Sequence, residues 1–69
     1  MKEPLGYRLK LLRIERGLTV RDVSELTGLA FTTVSRIERG EAHPFDITVA
    51  KLARAYQIPL TDLLEPVPA

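Results

Sequence analysis

The sequence predicts an all-α fold in which five helices form one compact domain. Apolar residues recur every three or four positions along the chain, and no stretch alternates apolar and polar residues as a half-buried strand does. Glycine and proline separate the periodic segments, where these residues commonly end or begin helices. A chain of 69 residues has room for one domain. We therefore assign residues 5–65 to the domain and residues 1–4 and 66–69 to short tails.

The boundaries of the helices follow from residues that favour helix ends. Pro4 suits a first turn, where its missing N–H is not needed, and Gly17 tolerates the left-handed conformation that ends many helices. Thr19 and Asp22 have the spacing of a capping box, and Asp46 is the predicted cap of the fourth helix. We predict helices at residues 5–16, 20–27, 31–38, 47–56 and 60–65.

Apolar stripes at helical spacing predict the side chains of the core. Between the second and third helices, Gly28 allows a tight turn, and Leu29 is expected to fill the corner there. The side chains predicted to point inward are Leu5, Leu9, Leu12, Val23, Leu26, Val34, Ile37, Val49, Leu52, Ala53 and Tyr56.

The chain has more apolar residues than one small core needs. The surplus consists of Tyr7, Leu11 and Ile14 on the first helix and of Leu60, Leu63, Leu64 and Val67 near the C-terminus. We expect the C-terminal group to form an isologous interface in a homodimer. The group on the first helix can alternatively pack on the fifth helix within one chain.

Composition excludes several classes of protein. Without cysteine there is neither a disulfide framework nor a thiolate metal site. No apolar run approaches the roughly 20 residues of a membrane span, and residues 1–4 lack the apolar stretch that is typical of a signal peptide. We therefore expect a cytoplasmic protein with no membrane association. The single histidine, His43, is expected to be exposed to solvent. We find no set of metal ligands, no nucleophile–base set and no phosphate-binding glycine loop, and we expect no enzyme activity, cofactor or metal.

Basic residues are concentrated in the first part of the chain. Residues 1–40 carry eight basic and five acidic side chains, whereas residues 41–69 carry two basic and four acidic ones. The first part can therefore face phosphate while the second faces solvent or a partner.

The segment TVRDVSELTGLAFTTVSRIERG, residues 19–40, resembles the helix-turn-helix of the lambda-repressor, Cro and Xre family of DNA-binding domains. Its last eight residues, TVSRIERG, match the family pattern in full, and the similarity extends over about residues 5–65. The resemblance implies a five-helix lambda-repressor-like domain whose second and third helices form the helix-turn-helix. It further implies a transcriptional regulator, and a repressor, that binds double-stranded DNA in a sequence-specific manner.

In such a motif the second helix of the pair lies in the major groove. Arg36 is the expected base reader, because arginine makes two hydrogen bonds to guanine; alternatively it contacts phosphate alone. Phe31 either touches thymine methyl groups or folds back onto the second helix, and Ser35 either donates to phosphate or permits close packing. The resemblance assigns base contacts to Ala30, Phe31, Thr32 and Arg36, and phosphate contacts to Thr19, Val20, Arg21, Thr33, Ser35 and Arg39.

Three positions depart from the family pattern. Ala30 stands where a Ser or Thr cap is common, so the third helix is expected to lack a side-chain cap. Phe31 stands where Gln or Arg is common and makes the tip of this helix apolar. Val20 stands where the family often has a Gln that bonds phosphate or DNA, and valine cannot make that contact. The amide groups at the start of the second helix still face a phosphate, and Arg21 and Arg39 can compensate electrostatically.

Arg13 and Glu38 match a pair that forms a partly buried salt bridge in the family. Such a bridge ties the first helix to the end of the third and gives Glu38 a structural role. The alternative is an exposed pair that contributes less than about 1 kcal/mol. Arg36, by contrast, is expected to have no partner within the protein.

A second function is compatible with the same fold. Helix-turn-helix domains of this kind also act as protein-interaction modules, for example as the antitoxin or coactivator partner in a complex. The near-neutral net charge, Val20 and the apolar tip at Phe31 favour this alternative.

Overall fold

Five α-helices follow one another along residues 4–64, the part of the chain that the computed structural model describes. No β-strand occurs in this range, which confirms the predicted all-α fold class. The helices are α1 (Leu5–Glu15), α2 (Val20–Thr27), α3 (Phe31–Glu38), α4 (Asp46–Tyr56) and α5 (Leu60–Leu63). The bounds of α2 and α3 are those predicted, and α1 and α4 differ from the prediction by one residue. The predicted end of α5 at residue 65 was wrong, since the helix ends at Leu63 and Leu64 is its cap. Residue 65 and the predicted tails, apart from Pro4, lie outside the described residues.

The core is built from apolar side chains of all five helices. Because each helix contributes only one to four of these residues, the helices depend on one another for burial. The core side chains, each 5% exposed or less, are Leu9, Val23, Val34, Ile37, Val49, Leu52, Ala53, Tyr56 and Leu63. Leu5, Leu12 and Leu29 pack against them in partly buried positions, as predicted.

Two assignments of apolar residues were wrong. Leu26, predicted to point inward, is 61% exposed. At about 100° per residue, Thr27 lies closer than Leu26 to the direction of the buried Val23, and its hydroxyl donates to the Val23 carbonyl at 2.7 Å. Leu63, assigned to a dimer surface, belongs to the core instead, because α5 turns it onto α4.

The second apolar stripe of α1 divides between two environments. Tyr7 and Ile14 are about half exposed, whereas Leu11 lies beside Ile58 and Asp62 in an open groove between α1 and the α5 region. Leu11 thus faces the α5 region across a groove, whereas Tyr7 and Ile14 lie at the surface.

Backbone geometry fixes the ends of the helices. The capping box of α2 is confirmed: the Asp22 amide donates to Thr19 Oγ1 at 3.0 Å, and the Thr19 amide donates to Asp22 Oδ2 at 2.8 Å. The predicted cap at Asp46 was wrong, since Asp46 is the first residue of α4 and the cap position, Phe45, has no side-chain hydrogen bond. At the end of α4, Gln57 adopts the left-handed conformation with φ of +59°.

The turn between α2 and α3 is held by hydrogen bonds from α2. The Ser24 hydroxyl donates to the Leu29 carbonyl at 2.6 Å, and the Leu29 amide donates to Thr27 Oγ1 at 3.1 Å. Gly28 makes the turn with φ of +78°, as predicted. The orientation of α3 relative to α2 is therefore set by both polar contacts and the packing of Leu29.

An ion pair attaches α1 to the end of α3. Arg13 Nε lies 2.8 Å from Glu38 Oε2, and Arg13 Nη2 donates to Glu38 Oε1 at 3.1 Å. The third nitrogen, Nη1, donates to the Leu18 carbonyl at 2.9 Å. The side chains of Arg13 and Glu38 are 14% and 7% exposed, so the pair is mostly buried and bidentate rather than exposed.

No helix among residues 4–64 has the length and apolar character to cross a membrane.

Candidate nucleic-acid interface

One face of α3 packs on the core and the opposite face is open. Val34 and Ile37 are buried, while Phe31, Thr32 and Arg36 are exposed. Thr32 and Arg36 are four residues apart and therefore share one face of the helix. The open face of α3 thus presents a hydroxyl and a guanidinium along one line.

The guanidinium of Arg36 makes no hydrogen bond or ion pair with any of residues 4–64. Two other arginines that reach the end of α3 are paired within the protein: Arg13 of α1 binds Glu38, and Arg39 binds Glu41. The donors of Arg36 are therefore available to a group outside the protein.

The tip of α3 is apolar and lacks a side-chain cap. Ala30 occupies the cap position with no side-chain hydrogen bond, as the sequence predicts. Phe31 is 51% exposed, so about half of its ring surface remains open to a ligand. The amide groups of the first turn have no carbonyl within the helix to pair with, which leaves donors beside this ring.

The start of α2 is less open than the sequence suggests. The Thr19 amide, one candidate phosphate donor, is already bound to the Asp22 carboxylate. The hydrogen bonds from Thr19 hold the pKa of Asp22 below its usual value, so a negative charge persists at this helix start. Val20 is partly buried against the core, and Arg21 alone presents an exposed cationic side chain here.

The end of α3 contains an arginine engaged within the protein. Arg39 Nη1 donates to Ser35 Oγ at 2.7 Å, and its Nε and Nη2 each donate to an oxygen of Glu41 at 3.1 Å. Both of the predicted phosphate-contacting residues Ser35 and Arg39 thus have partners here. Glu41 was missed as a member of the site, although an acidic residue directly after the glycine that ends the helix was a readable signal.

The remaining candidate residues, Thr33 and His43, do not form a site of their own. Thr33 is half-buried, and His43 is exposed in the loop between α3 and α4. Among the described residues no group of three or more His, Cys, Asp or Glu side chains is arranged to hold a metal ion. The side chains that the structure brings together on one surface are those of α3 and its two ends.

A comparison with protein families assigns this chain to one of them. The helix-turn-helix family model matches residues 9–63, which is most of the chain and includes all of α2, α3 and α4. The chain therefore belongs to the helix-turn-helix family of the lambda-repressor, Cro and Xre type, as its sequence predicts.

Curated relatives are transcriptional regulators. The chain is 40% identical over 63 residues to the HTH-type transcriptional repressor RghR of Bacillus subtilis, covering 90% of this chain and 47% of that protein. It is 33% identical over 66 residues to the uncharacterized HTH-type transcriptional regulator y4dJ of Sinorhizobium fredii, covering 96% of this chain and 86% of that one. The chain spans about half the length of the first curated relatives it matches.

Solved structures share the fold. The restriction-modification controller protein C.AhdI from Aeromonas hydrophila superposes with a TM-score of 0.84 at 33% identity, over 87% of this chain and 91% of that one. A transcriptional regulator of the HTH_3 family from Vibrio cholerae gives 0.82 at 31% identity, over 88% of this chain and 34% of that one. The five-helix domain is thus one that transcriptional regulators use.

Proposed function

We propose that this protein is a transcriptional regulator, and specifically a repressor, that binds double-stranded DNA by inserting α3 into the major groove. The observation that carries the proposal is the exposed face of α3, on which Arg36 has no partner among the described residues while the opposite face is locked in the core. A helix presented in this way by a helix-turn-helix fits the width of the major groove.

The proposed contacts divide into base contacts and phosphate contacts. Arg36 reads guanine through two hydrogen bonds, and Thr32 and Phe31 contact neighbouring bases, with the ring against thymine methyl groups. Ala30 lets the DNA approach the start of α3 closely because its side chain is a single methyl group. Phosphate contacts come from the ends of the motif: Thr19, the amide of Val20, Arg21, Thr33, Ser35 and Arg39.

The repressor assignment is supported by a relative and by the architecture. RghR is named a repressor, and C.AhdI is named a controller protein. A domain that occupies its site on DNA blocks other proteins from that site without needing any further activity. We therefore expect repression by occupancy, and no catalytic activity is required for it.

The first experiment selects from random duplex DNA on the purified protein at moderate salt. We expect an enriched sequence with two-fold symmetry and half-sites about ten base pairs apart. Binding should weaken steeply as salt is added, because phosphate neutralisation releases counterions. Failure to enrich any sequence, together with salt-insensitive binding to a protein, would instead establish the protein-interaction module.

Arg36→Ala tests the proposed base reader. We expect it to weaken binding to the selected site by about 1–3 kcal/mol and to relax specificity at one base pair. Arg54→Ala is the matched control, because Arg54 is exposed on α4 beside the C-terminal end of α2 and its loss removes the same charge. Equal losses in the two variants, with unchanged specificity, would contradict a base-reading role.

We further propose that the protein binds as a homodimer through its C-terminal half. A single domain of this kind buries only about 600–1,000 Å² on DNA, which is little for tight specific binding. Large apolar side chains are exposed in this half: Phe45 at 80%, Ile47 at 67%, and Leu60 and Leu64 at 36% and 40%. Val67, also assigned to the interface, lies outside the described residues.

Sedimentation equilibrium tests the dimer at tens of micromolar protein. We expect a mass of two chains, and a mass of one chain for Ile47→Asp, with DNA affinity lost and the helical circular dichroism unchanged. Leu26→Asp is the control, since Leu26 is similarly exposed but lies on α2. A wild-type protein that sediments as one chain would contradict the dimer while leaving DNA binding to be measured independently.

A further inference from the structure

We propose that Glu41 limits the strength of DNA binding by competing with DNA phosphate for the guanidinium of Arg39. This inference rests on the proposed function, since it concerns the same surface. Glu41 is then a positioning residue that acts through Arg39. The wild-type protein should bind DNA more weakly than a variant in which Glu41 no longer occupies Arg39.

The contact between the two side chains has the geometry of an arginine–phosphate contact. Nε and Nη2 of Arg39 donate in parallel to the two carboxylate oxygens of Glu41, each at 3.1 Å. Arginine binds phosphate with the same pair of parallel donors. A phosphate that takes this edge of Arg39 must therefore displace the carboxylate of Glu41.

The backbone at the end of α3 places Glu41 where it can make this contact. Gly40 has φ of +77°, and its amide donates to the Ile37 carbonyl at 3.1 Å. The Glu41 amide donates to the Arg36 carbonyl at 2.8 Å, which completes a Schellman motif. Because these bonds hold the backbone of Glu41 against the last turn, its carboxylate stays within reach of Arg39.

The pair is exposed, so phosphate can compete for it. The side chains of Arg39 and Glu41 are 56% and 53% exposed, and exposed ion pairs are weak. Ser35 Oγ accepts from the remaining nitrogen, Nη1, and keeps the guanidinium at the end of α3. Arg39 is therefore poised at the surface, but its phosphate-binding edge is occupied.

The charge of Glu41 also opposes DNA directly. Arg39 lowers the pKa of Glu41, mainly through their hydrogen bonds, and Arg36 lowers it further, so Glu41 is ionised at neutral pH. Glu38, the other acidic group at this end, is already paired with Arg13. The charge of Glu41 thus acts on both proposed DNA-binding arginines, and a substitution can remove it without breaking a buried pair.

A double-mutant cycle on the selected DNA site tests the proposal. We expect Glu41→Gln to tighten binding by about two- to fivefold, the range that an exposed ion pair can contribute. In the Arg39→Ala background the same substitution should change affinity by far less, because the competing partner is gone. The dependence of affinity on salt should also become steeper in Glu41→Gln, since one more phosphate is neutralised.

Glu15→Gln is the matched control, because Glu15 is exposed on α1 and its substitution removes the same charge. A gain in Glu41→Gln that persists in the Arg39→Ala background, or that Glu15→Gln reproduces, would show general charge repulsion and overturn the proposal. If the wild-type protein binds its site and Glu41→Gln binds it with the same affinity, the proposal is also overturned. If no variant and no wild-type protein binds DNA, the proposed function itself fails.

Discussion

At the scale of single residues, Tyr56 is the largest side chain that the fold buries completely. Its exposure is 1%, and its hydroxyl finds no hydrogen-bond partner among the described residues. Burial is the main cause that raises the pKa of Tyr56 to about 12 from a usual value of 10.0. The ring stabilises the core, whereas the hydroxyl is a polar group removed from water without compensation.

Tyr56→Phe should therefore stabilise the protein. The substitution keeps the ring and removes the unpaired hydroxyl, and we expect a gain of about 1 kcal/mol, which corresponds to a rise of about 4–8 °C in Tm for a domain of this size. Thermal unfolding followed by circular dichroism measures it. A lower Tm at neutral pH would indicate that the hydroxyl has a partner in solution.

Tyr56→Phe also tests how the titration of the Tyr56 hydroxyl changes stability with pH. The folded-state pKa of Tyr56 lies above its unfolded value, so folding favours the neutral hydroxyl over the ionised one. The free energy of unfolding is therefore unaffected by this titration below about pH 10 and falls as the pH rises towards 12. The wild-type protein should lose stability across this window, and Tyr56→Phe should lose less. Parallel pH profiles for the two proteins would contradict the assignment of the shift to Tyr56.

At the scale of helices, the approach of α1 to the end of α3 depends on one glycine. Gly6 is buried, and a Cβ atom at this position would lie 2.9 Å from the Glu38 carbonyl oxygen and still closer to that of Ile37. Both are backbone atoms and cannot rotate away. The absence of a side chain at Gly6 thus lets α1 pack against α3, and it brings Arg13 within reach of Glu38.

Gly6→Ala should destabilise the protein although alanine is the better helix former. In an open helix the substitution would stabilise by roughly 0.5–1 kcal/mol, whereas overpacking against backbone costs about 1–3 kcal/mol or more. Urea unfolding measures the difference. Lys10→Ala, at an exposed position of the same helix, is the control and should change stability little. A stabilised Gly6→Ala would show that α1 can move without cost.

At the scale of the whole molecule, the ion pair of Arg13 and Glu38 connects helices that share a core of only nine buried side chains among the described residues. A core of this size stabilises a domain modestly. Arg13 contacts α3 through Glu38 and the segment before α2 through the Leu18 carbonyl. Arg16 adds a second link, because its Nε donates to the Tyr56 carbonyl at 2.8 Å and its guanidinium lies 5.8 Å from the Tyr56 ring centre. Arg13 in α1 and Arg16, directly after α1, thus connect this helix to α3, to α4 and to the segment before α2.

Arg13→Met should cost about 3–5 kcal/mol, because it leaves the Glu38 carboxylate, 7% exposed, without its partner. Arg13→Met/Glu38→Leu should recover much of the loss, since no buried charge remains. Arg21→Met, at an exposed site, serves as the control in the same urea titrations. A loss below about 1 kcal/mol in Arg13→Met, the range of exposed pairs, would mean that water screens the pair in solution.

Periodicity and helix-end residues by themselves determined the all-α class, the bounds of α2 and α3, the capping box at Thr19 and the turn at Gly28. These features depend on interactions between residues close in sequence, so the sequence displays them directly. The resemblance added the pairing of Arg13 with Glu38 and the candidate face of α3. The contact of that face with DNA stays a prediction.

Only the tertiary structure decided the features that depend on distant residues. Leu26 and Leu63 are both leucines on helices, yet Leu26 is 61% exposed, whereas Leu63 lies in the core where α5 packs on α4. The tight approach at Gly6 and the unpaired hydroxyl of Tyr56 arise where helices far apart in sequence meet. Even the local pairing of Arg39 with Glu41 depends on the left-handed turn at Gly40, whose direction the sequence permits but does not display.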